Sequence, residues 1–308
     1  MKEMNKISFD EFEIVGCVDD TVNGITHGGV GHGDDALAAA LAFLCGLITR
    51  LARVFSLPEK LPENCIVFDV GGEYNPKGGR FDHHQKDFTE TREGDLVKYS
   101  SAGLLWKAYG HLLCPDERVW AAVDARLFRG VDAVDNGQAV LGDCMSLSSI
   151  VSSFNPEWDE ETDSNACFKE AVRLCVGVLK RTIRHEEAVV AAKDLVDAAI
   201  DAAEGQICVL PRFAPWQAYV EDTNLLYVVF PSNRGGYNVQ AVAVYKDGAP
   251  TFETRKGLPL RWRGLRGADL AEVCGVADAT FVHPAGFIGG ANSLEGALAM
   301  ARASRDAE

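Results

Sequence analysis

The sequence predicts an α/β protein: a doubly wound, mainly parallel sheet, then a helical connector and a smaller α+β C-terminal domain. Three observations support this class. Strand-like and helix-like segments alternate through the first half, as in parallel sheets whose strands are joined by helices. A long stretch with helical apolar spacing follows, and after Gly205 strand-like runs dominate. The predicted segments are 1–160 for the first domain, 161–204 for the connector and 205–308 for the last domain.

The first half contains the segments that are expected to build the parallel sheet. A short strand candidate, NGITHGG, precedes DDALAAALAFLCGLI, which has helical spacing with Asp34 or Asp35 at its N-cap or in its first turn. RVFSL and CIVFDV are further strand candidates, and the second is a continuous apolar run of the kind found in buried parallel strands. SSAGLLWKAYGHLL, which starts with a serine cap, and the segment from Glu117 to Val134 are predicted helices.

The second half begins with the predicted connector. In residues 164–204, apolar residues recur at helical spacing with charges between them, a pattern typical of a helix packed on one face. Its exposed face is a candidate homodimer contact. QICVLP, LLYVVFP and YNVQAVAVY are predicted strands, NRGG is the predicted loop of a hairpin, and LEGALAMARAS is a predicted final helix.

Charge and cysteine usage restrict the function. A net charge of -15 argues against tight nonspecific binding of long nucleic acid, which depends on Lys and Arg, but not against a short phosphate-bearing substrate. Bound divalent metals would supply positive charge locally. The nine cysteines are scattered without a Cys-x-x-Cys pair, which favours reduced thiols. No apolar run could span a bilayer and no signal-peptide pattern is present, so we expect a cytoplasmic protein without a membrane partner.

Histidine and aspartate residues concentrate near the ends of the predicted strands. Four of the seven histidines fall in two short segments, THGGVGHGDDALA and RFDHHQ. Because the carboxyl ends of parallel strands form the ligand crevice of an open sheet, these groups are expected to converge there. A cluster of histidine and carboxylate groups without cysteine suits manganese, magnesium, iron or cobalt, and zinc less exclusively. The candidate residues are His27, His32, Asp69, Asp82, His83, His84, Asp132 and Asp135.

Such a set could hold two metals that share a bridging carboxylate, clamp a phosphoryl group and activate water near neutral pH. Each member also has an ordinary explanation: a histidine at a strand end is usually structural, and Asp135 before Asn136-Gly137 fits a turn. Several such coincidences on one sheet edge are less plausible than a shared site. Asp132 and Asp135 are spaced i and i+3, so both could face the site from a helix, and the choice stays open.

Longer strings carry a resemblance to a known family. The order His-x4-His-x-Asp, a strand-ending Asp, Asp-His-His and a late Asp resembles the DHH phosphoesterase superfamily. From about Ile25 to the C-terminus, further strings resemble, in family order, the Myg family of exonucleases, the melanocyte-proliferating-gene type. These strings are THGGVGHGDDALA, DVGGEYNPKGGRFDHHQKDF, SSAGLLW, VDAVDNG, LPLRWRGLRG and FVHPAGFIGGANSLEGALAMARA.

The resemblance implies a DHH-type two-domain fold and a metal-dependent 3'-5' exonuclease that acts on RNA or short oligonucleotides. It implies two divalent ions, Mn²⁺ first, with Mg²⁺ or another ion as the alternative. Asp69 would be the bridging carboxylate, His84 would contact the phosphate, and Asp82 and His84 are the implied catalytic residues. The implied metal ligands are His27, His32, Asp34, Asp69, His83 and either Asp132 or Asp135.

The resemblance also places substrate contacts in the last domain. Gly286, Gly289 and Gly290 match a glycine-rich substrate loop. Candidate phosphate contacts are Arg263, Arg266 and His283; for the two arginines, which lie near a tryptophan, ordinary surface packing is an equal alternative.

One departure from the family pattern bears on the substrate. Where the family usually has Phe-His-Cys-Asp-Glu, this chain has Gly31-His32-Gly33-Asp34-Asp35. The histidine and the aspartate that would bind metal are kept in this segment. The resemblance therefore supports metal binding more directly than it supports a particular substrate. A small phosphate compound, such as a dinucleotide, a phosphorylated nucleoside or pyrophosphate, is therefore one alternative substrate, which the charge of -15 favours. A non-enzymatic metal-binding or partner-binding protein is the other alternative, against which the complete ligand set argues.

Overall fold

The computed structural model describes residues 8–139, 145–246 and 248–307. Backbone contacts divide the chain into two compact units, Met1–Glu187 and Ala188–Glu308. The division falls inside one long helix, so the segment expected to be a connector contributes to both units. The chain is α/β, with a mostly parallel sheet in the first unit and a mostly antiparallel sheet in the second.

A six-stranded sheet forms the centre of the first unit. Its strands are β1 (Glu13–Val15), β2 (Gly24–His27), β3 (Arg50–Val54), β4 (Ile66–Phe68), β5 (Tyr74–Asn75) and β6 (Arg80–Phe81). Their order is β1-β3-β2-β4-β6-β5, and every neighbouring pair is parallel except β5 with β6. After β2 the next strand in the chain, β3, lies on one side of β2. After β4 the next strands, β5 and β6, lie on the opposite side of the sheet. The order therefore reverses between β2 and β4, where the carboxyl ends of an open sheet leave a crevice.

The predicted strands are confirmed with one displacement. NGITHGG contains β2 and CIVFDV contains β4, whose three residues are all buried, as expected for a parallel strand. RVFSL overlaps only the end of β3, which begins earlier, at Arg50, and stops at Val54. The reason is pairing: residues 50–54 lie between β1 and β2, whereas Phe55 has passed the sheet edge and is 88% exposed.

Helices pack on this sheet and on one another. They are α1 (Gly33–Leu44), α2 (Ser101–Tyr109), α3 (Glu117–Val123), α4 (Arg129–Asp135), α5 (Leu147–Ser152) and α6 (Ser164–Asp201). All twelve residues of α1 are buried, as expected for a helix whose sequence is apolar on every side. The single helix predicted from Glu117 to Val134 is divided by a π-helical turn, Asp124–Phe128. Such a turn inserts an extra residue and changes the direction of the side chains that follow it.

The second unit has the α+β organisation expected from the sequence. It contains β7 (Ile207–Val209), β8 (Tyr227–Pro231), β9 (Tyr237–Ala241), β10 (Ala243–Lys246), β11 (Ala249–Thr254), α7 (Gly267–Cys274), β12 (Ala279–Val282), β13 (Ile288–Ala291) and α8 (Leu294–Asp306). Five strands form a sheet in the order β12-β13-β9-β8-β7, while β10 and β11 form a separate ribbon. QICVLP and LLYVVFP contain β7 and β8, and the NRGG hairpin loop and the final helix are confirmed. YNVQAVAVY, predicted as one strand, is divided between β9 and β10, which belong to different sheets.

Two further findings concern the described part of the chain. The eight cysteines within it are free thiols, whereas Cys144 lies outside the described residues. Among the described helices, none has the length and apolar character needed to cross a membrane.

Candidate metal centre

The polar side chains expected to converge do meet at the carboxyl edge of the first sheet. His27 ends β2, Asp69 directly follows β4, and Asp82 directly follows β6. The first turn of α1 brings Asp34 to the same place, and Asp135 is the last residue of α4. The site therefore lies at the point where the strand order reverses, which is the expected ligand position in an open parallel sheet.

Asp69 occupies the middle of this site because of an unusual backbone conformation. Its φ is +57°, a left-handed value that few residues other than glycine adopt and that aspartate tolerates better than most. The turn directs one carboxylate to two histidines. Asp69 Oδ2 lies 3.3 Å from His27 Nε2, and Asp69 Oδ1 lies 3.4 Å from His83 Nε2. The two oxygens thus face different imidazoles, as a bridging carboxylate requires.

Three groups of possible ligands lie around Asp69 among the described residues, and in each group the ligand atoms lie within 4.8 Å of one another. The first set combines His27 and His32 with Asp69, and the second set combines Asp34, His83 and Asp135. A third group joins Asp69 and His83 to Asp82 and His84. His27 Nε2 and His83 Nε2 are buried and form no hydrogen bond of acceptable geometry within the described part of the chain. Orphaned imidazole nitrogens beside carboxylates, without a thiolate, fit hard or borderline divalent cations.

The start of α2 holds Asp34 in place. Its Oδ1 accepts a hydrogen bond of 2.7 Å from the Ala102 amide, and its Oδ2 accepts one of 3.0 Å from the Ser101 amide. Ser100 Oγ also lies within hydrogen-bond distance of Oδ1. Burial and then the nearby carboxylates of Asp69 and Asp135 raise the pKa of Asp34, so ionisation is costly without a cation.

Asp132 and Asp135 have different partners in the structure. Asp135 Oδ2 lies 3.2 Å from His83 Nε2 and belongs to the second ligand set. Asp132 instead accepts hydrogen bonds from the Ser100 amide and hydroxyl, and its Oδ2 lies 2.7 Å from Arg92 Nη1. Burial raises the pKa of Asp132 to about 6, although Arg92 opposes this. Asp132 belongs to none of the ligand groups found among the described residues.

Asp82 and His84 form a hydrogen-bonded pair within the third group. Asp82 Oδ1 lies 2.7 Å from His84 Nδ1, and Asp82 Oδ2 accepts a hydrogen bond of 2.6 Å from the Gly72 amide. This bond to Asp82 raises the pKa of His84, whose side chain is 62% exposed. Asp82 therefore orients a solvent-accessible imidazole and favours its protonated form, which suits contact with an anion.

Two residues of the site were not identified as functional from the sequence. Asp35, expected only as an N-cap or first-turn residue, accepts a hydrogen bond of 2.8 Å from the His32 amide, and its other oxygen lies 2.9 Å from His27 Nε2. The Asn155 side chain accepts a bond of 2.7 Å from the Gly31 amide and donates one of 2.9 Å to the Gly31 carbonyl. Asp35 had a local signal, its position beside Asp34, but Asn155 lies 124 residues from Gly31 and had none.

The two glycines that flank His32 in the chain have specific neighbours. A Cβ at Gly31 would lie 2.6 Å from the ring of Phe168, and a Cβ at Gly33 would lie 2.5 Å from Ser148 Oγ. Both distances are far below van der Waals contact, so neighbouring elements occupy the space that a side chain would need. The absence of a side chain at Gly33 therefore leaves room for α5 against the start of α1.

The carboxylates of the site also raise the pKa values of two of its histidines. Burial by itself would lower the pKa of His27, but the carboxylates of Asp35 and Asp69 raise it to about 11. His83 has a pKa of about 9 for the same reason, through Asp69, Asp34 and Asp135. Without a metal ion, the imidazoles of His27 and His83 therefore keep their protons near neutral pH. These protons must leave before the ring nitrogens can bind a metal ion.

We expect the metal-free protein to lose stability as the pH rises from 6.5 to 9.5. The pKa values of His27 and His83 are higher in the folded state than the ordinary 6.5. Their stabilisation is therefore complete below pH 6.5 and is lost as the pH rises through about 9 for His83 and about 11 for His27. The raised pKa values of Asp34 and Asp135 act in the same direction.

This expectation can be checked by thermal denaturation of chelator-treated protein across that pH range, with Mn²⁺-loaded protein beside it. The melting temperature of the metal-free sample should fall, and the difference between the two samples should widen, as the pH rises. A constant or rising melting temperature without metal would contradict this electrostatic account of the site.

The second unit places the remaining predicted residues in different settings. Arg266 and His283 line a cavity of about 690 Å³ together with Arg234, Tyr237 and Phe281. Arg263 is directed elsewhere: its Nε donates a hydrogen bond of 3.0 Å to the Leu258 carbonyl. The two predicted phosphate contacts that share a cavity are therefore Arg266 and His283.

The expectation of one glycine-rich loop is wrong for two of its three members. Gly286 lies in a turn with φ +74°, but Gly289 and Gly290 are buried residues of β13. A Cβ at either would lie 2.9 to 3.0 Å from atoms of β12 or β9. These two glycines allow close strand packing, since only a residue without Cβ fits there.

Comparisons with known proteins identify the family of the chain. Residues 24–304 match the MYG1_exonuc family model, which is described as an uncharacterised protein family (UPF0160). A MYG1 exonuclease of Homo sapiens is 35% identical over 320 residues, covering 91% of this chain and 84% of the human one. The MYG1 exonuclease of Rattus norvegicus is 34% identical, with coverage of 91% and 83%.

The similarity extends to fungi. A MYG1 protein of Schizosaccharomyces pombe is 32% identical over 319 residues, covering 91% of this chain and 96% of the yeast protein. No solved structure gave a significant match. Because one family model spans most of the chain and relatives from mammals and yeast match it over most of their length, the chain belongs to the MYG1 exonuclease family.

Proposed function

We propose that this chain is a divalent-metal-dependent phosphodiesterase of the DHH type, and specifically a 3'-5' exonuclease that acts on RNA or short oligonucleotides. The observation that carries the proposal is the position of Asp69, whose two oxygens face His27 and His83. A carboxylate shared between two sets of histidine and aspartate ligands is the arrangement that a two-metal phosphoesterase needs. The relatives named MYG1 exonuclease support the nuclease assignment.

The chain's own residues supply most of the chemistry. Two divalent cations would add Lewis acidity at the phosphoryl oxygens and lower the pKa of bound water. His27, His32 and Asp69 would hold one ion, and Asp34, His83 and Asp135 the other. Asp69, whose Oδ1 lies beside His83, would be shared between the two ions. His84, held by Asp82 through Nδ1, keeps Nε2 for a phosphoryl oxygen as negative charge develops there.

Other observations support the finer features expected from the sequence. The reversal of strand order between β2 and β4 supports a doubly wound, DHH-type arrangement of the first unit. Within the second unit, Arg234, Arg266 and His283 line one cavity and supply donors of the kind that bind phosphate. The eight free cysteines support a reducing, cytoplasmic location.

The function is tested by hydrolysis of 5'-labelled RNA, DNA and a dinucleotide in the presence of Mn²⁺, with product lengths followed over time. Stepwise shortening of labelled RNA is expected, because removal of nucleotides from the 3' end leaves the label on the remaining chain. Asp82→Ala should abolish most of this activity, since His84 loses the partner that orients it. The matched control is Asp87→Ala, which removes an exposed carboxylate five residues away.

Each other outcome has a definite meaning. Immediate release of a labelled mononucleotide would reverse the polarity. Cleavage of the dinucleotide alone would support the alternative, a small phosphate substrate, which the net charge of -15 favours. Absence of turnover with any divalent metal, by folded and metal-loaded protein, would support a non-enzymatic binding protein.

A further inference from the structure

A cavity of about 500 Å³ adjoins the candidate metal centre within the first unit. His32, from the first ligand set, and Asp135, from the second, both lie on its wall. The opposite wall is α5, which contributes only serines. The lining residues are His32, Gly33, Val134, Asp135, Ser148, Ser149 and Ser152. A group that enters this cavity would therefore contact both ligand sets and the serines together.

Ser148 packs closely against Gly33, a residue beside the metal centre. Its Oγ and Cα lie 2.5 Å and 2.7 Å from the position of a Cβ on Gly33, the first residue of α1. Only the absence of that Cβ allows α5 to approach so near. The Ser148 hydroxyl has no hydrogen-bond partner in the described part of the chain, whereas Ser149 Oγ is paired with Ser146 Oγ at 3.0 Å. Ser148 thus presents an unused donor and acceptor to the cavity.

The charge of the wall indicates what the cavity would accept. No lysine or arginine lies among its lining residues, and Asp135 adds negative charge. A phosphate away from the ligand sets would meet no compensating cation there. An uncharged group that bears hydroxyls would instead find the serine hydroxyls as partners and Val134 as an apolar contact. The sugar of a nucleotide has this chemistry.

We propose that this cavity binds the ribose of the nucleotide at the scissile phosphate, and that Ser148 forms a hydrogen bond with its 2'-hydroxyl. The inference rests on the proposed phosphodiesterase function and assigns a specificity determinant to it. The 2'-hydroxyl is the group by which a protein distinguishes RNA from DNA at a given position. Ser148 would therefore favour a ribonucleotide over a deoxyribonucleotide at the cleaved end.

The test compares RNA oligomers with chimeras that carry one 2'-deoxynucleotide at the 3' end. The native protein should cleave the ribonucleotide end about tenfold faster in kcat/KM, the effect of one hydrogen bond to a substrate hydroxyl. Ser148→Ala should lose this factor on RNA and leave the rate on the chimera unchanged. Ser148→Cys, which has nearly the same shape but a weak hydrogen-bonding group, should behave like the alanine variant.

The control is Ser153→Ala, because the Ser153 hydroxyl donates to the Ile150 carbonyl and lies outside the cavity. It should keep the preference of the native protein. Equal loss on both substrates in Ser148→Ala, or an unchanged preference, would overturn the proposal.

Equilibrium binding of AMP and dAMP to the metal-loaded proteins separates this inference from the function on which it rests. If no oligomer is cleaved, the exonuclease proposal fails. The subsite stands only if the native protein binds AMP about tenfold tighter than dAMP and Ser148→Ala does not. Equal binding of the two nucleotides by the native protein would overturn the subsite whatever the turnover.

Discussion

Asp69→Asn is expected to lower exonuclease activity by at least roughly 100-fold, the upper end of the effect seen when a residue that only supports a metal ligand is lost. The substitution removes the charge that both ligand sets share and replaces one carboxylate oxygen with a donor that cannot bind a cation. Asparagine is well suited to the test because it tolerates the left-handed backbone at this position, where φ is +57°. The loss can then be attributed to the carboxylate rather than to the turn.

Metal content measured by mass spectrometry gives a second readout for this variant. The native protein should hold two divalent ions per chain, and Asp69→Asn should hold fewer, with weaker affinity for both. Asp20→Asn, which makes the same charge change at an exposed position, should keep both ions and full activity. Two tightly bound ions in Asp69→Asn would show that Asp69 does not bridge the two sets.

Arg92→Ala is expected to lower the free energy of unfolding by about 3 to 5 kcal/mol, the usual cost of removing one partner from a buried ion pair. The Arg92 guanidinium donates hydrogen bonds of 2.6 and 2.7 Å to Asp124 and lies 2.7 Å from Asp132. Asp132 is fully buried and packs against Gly103 of α2, where a Cβ would lie 2.2 Å from Asp132 Oδ2. Without the cation, a buried carboxylate would remain unpaired.

Urea denaturation of the chelator-treated protein would measure this loss, with Arg129→Ala as the matched control. Arg129 also pairs with an aspartate, Asp95, but at the surface, where such pairs contribute about 0 to 1 kcal/mol. A loss below about 1 kcal/mol in both variants would contradict the importance of the buried network.

Because the Ser100 hydroxyl lies between Asp132 and Asp34, Arg92→Ala should also weaken metal binding, by about 10- to 100-fold.

Much of the site could be predicted because its signals are local. His27 and Asp69 were assigned to strand ends from short apolar runs, and in a parallel sheet such ends meet at one edge. The family resemblance, which rests on the same motifs, is confirmed by the family model and the relatives. The α+β character of the last third likewise followed from strand patterns and a hairpin loop.

Other features depended on contacts that no local pattern records. Asp132 and Asp135 are three residues apart in α4, and the choice between them depends on how that helix is rotated after the π-helical turn. Arg92 and Asn155 act on residues 40 and 124 positions away in the chain, respectively. The burial of Gly289 and Gly290 in a strand became visible only once β9 and β12 were in place.

The sequence by itself determined the family, the α/β class and the types of ligand at the sheet edge. These features follow from the order of motifs, from the spacing of apolar residues and from the chemistry of histidine and aspartate. The tertiary structure alone decided that Asp135 rather than Asp132 faces His83, that Asp69 presents one oxygen to each histidine, and that Ser148 lies against Gly33. The physical reason is that side-chain direction depends on helix rotation, backbone turns and close packing between distant segments, which local sequence patterns do not fix.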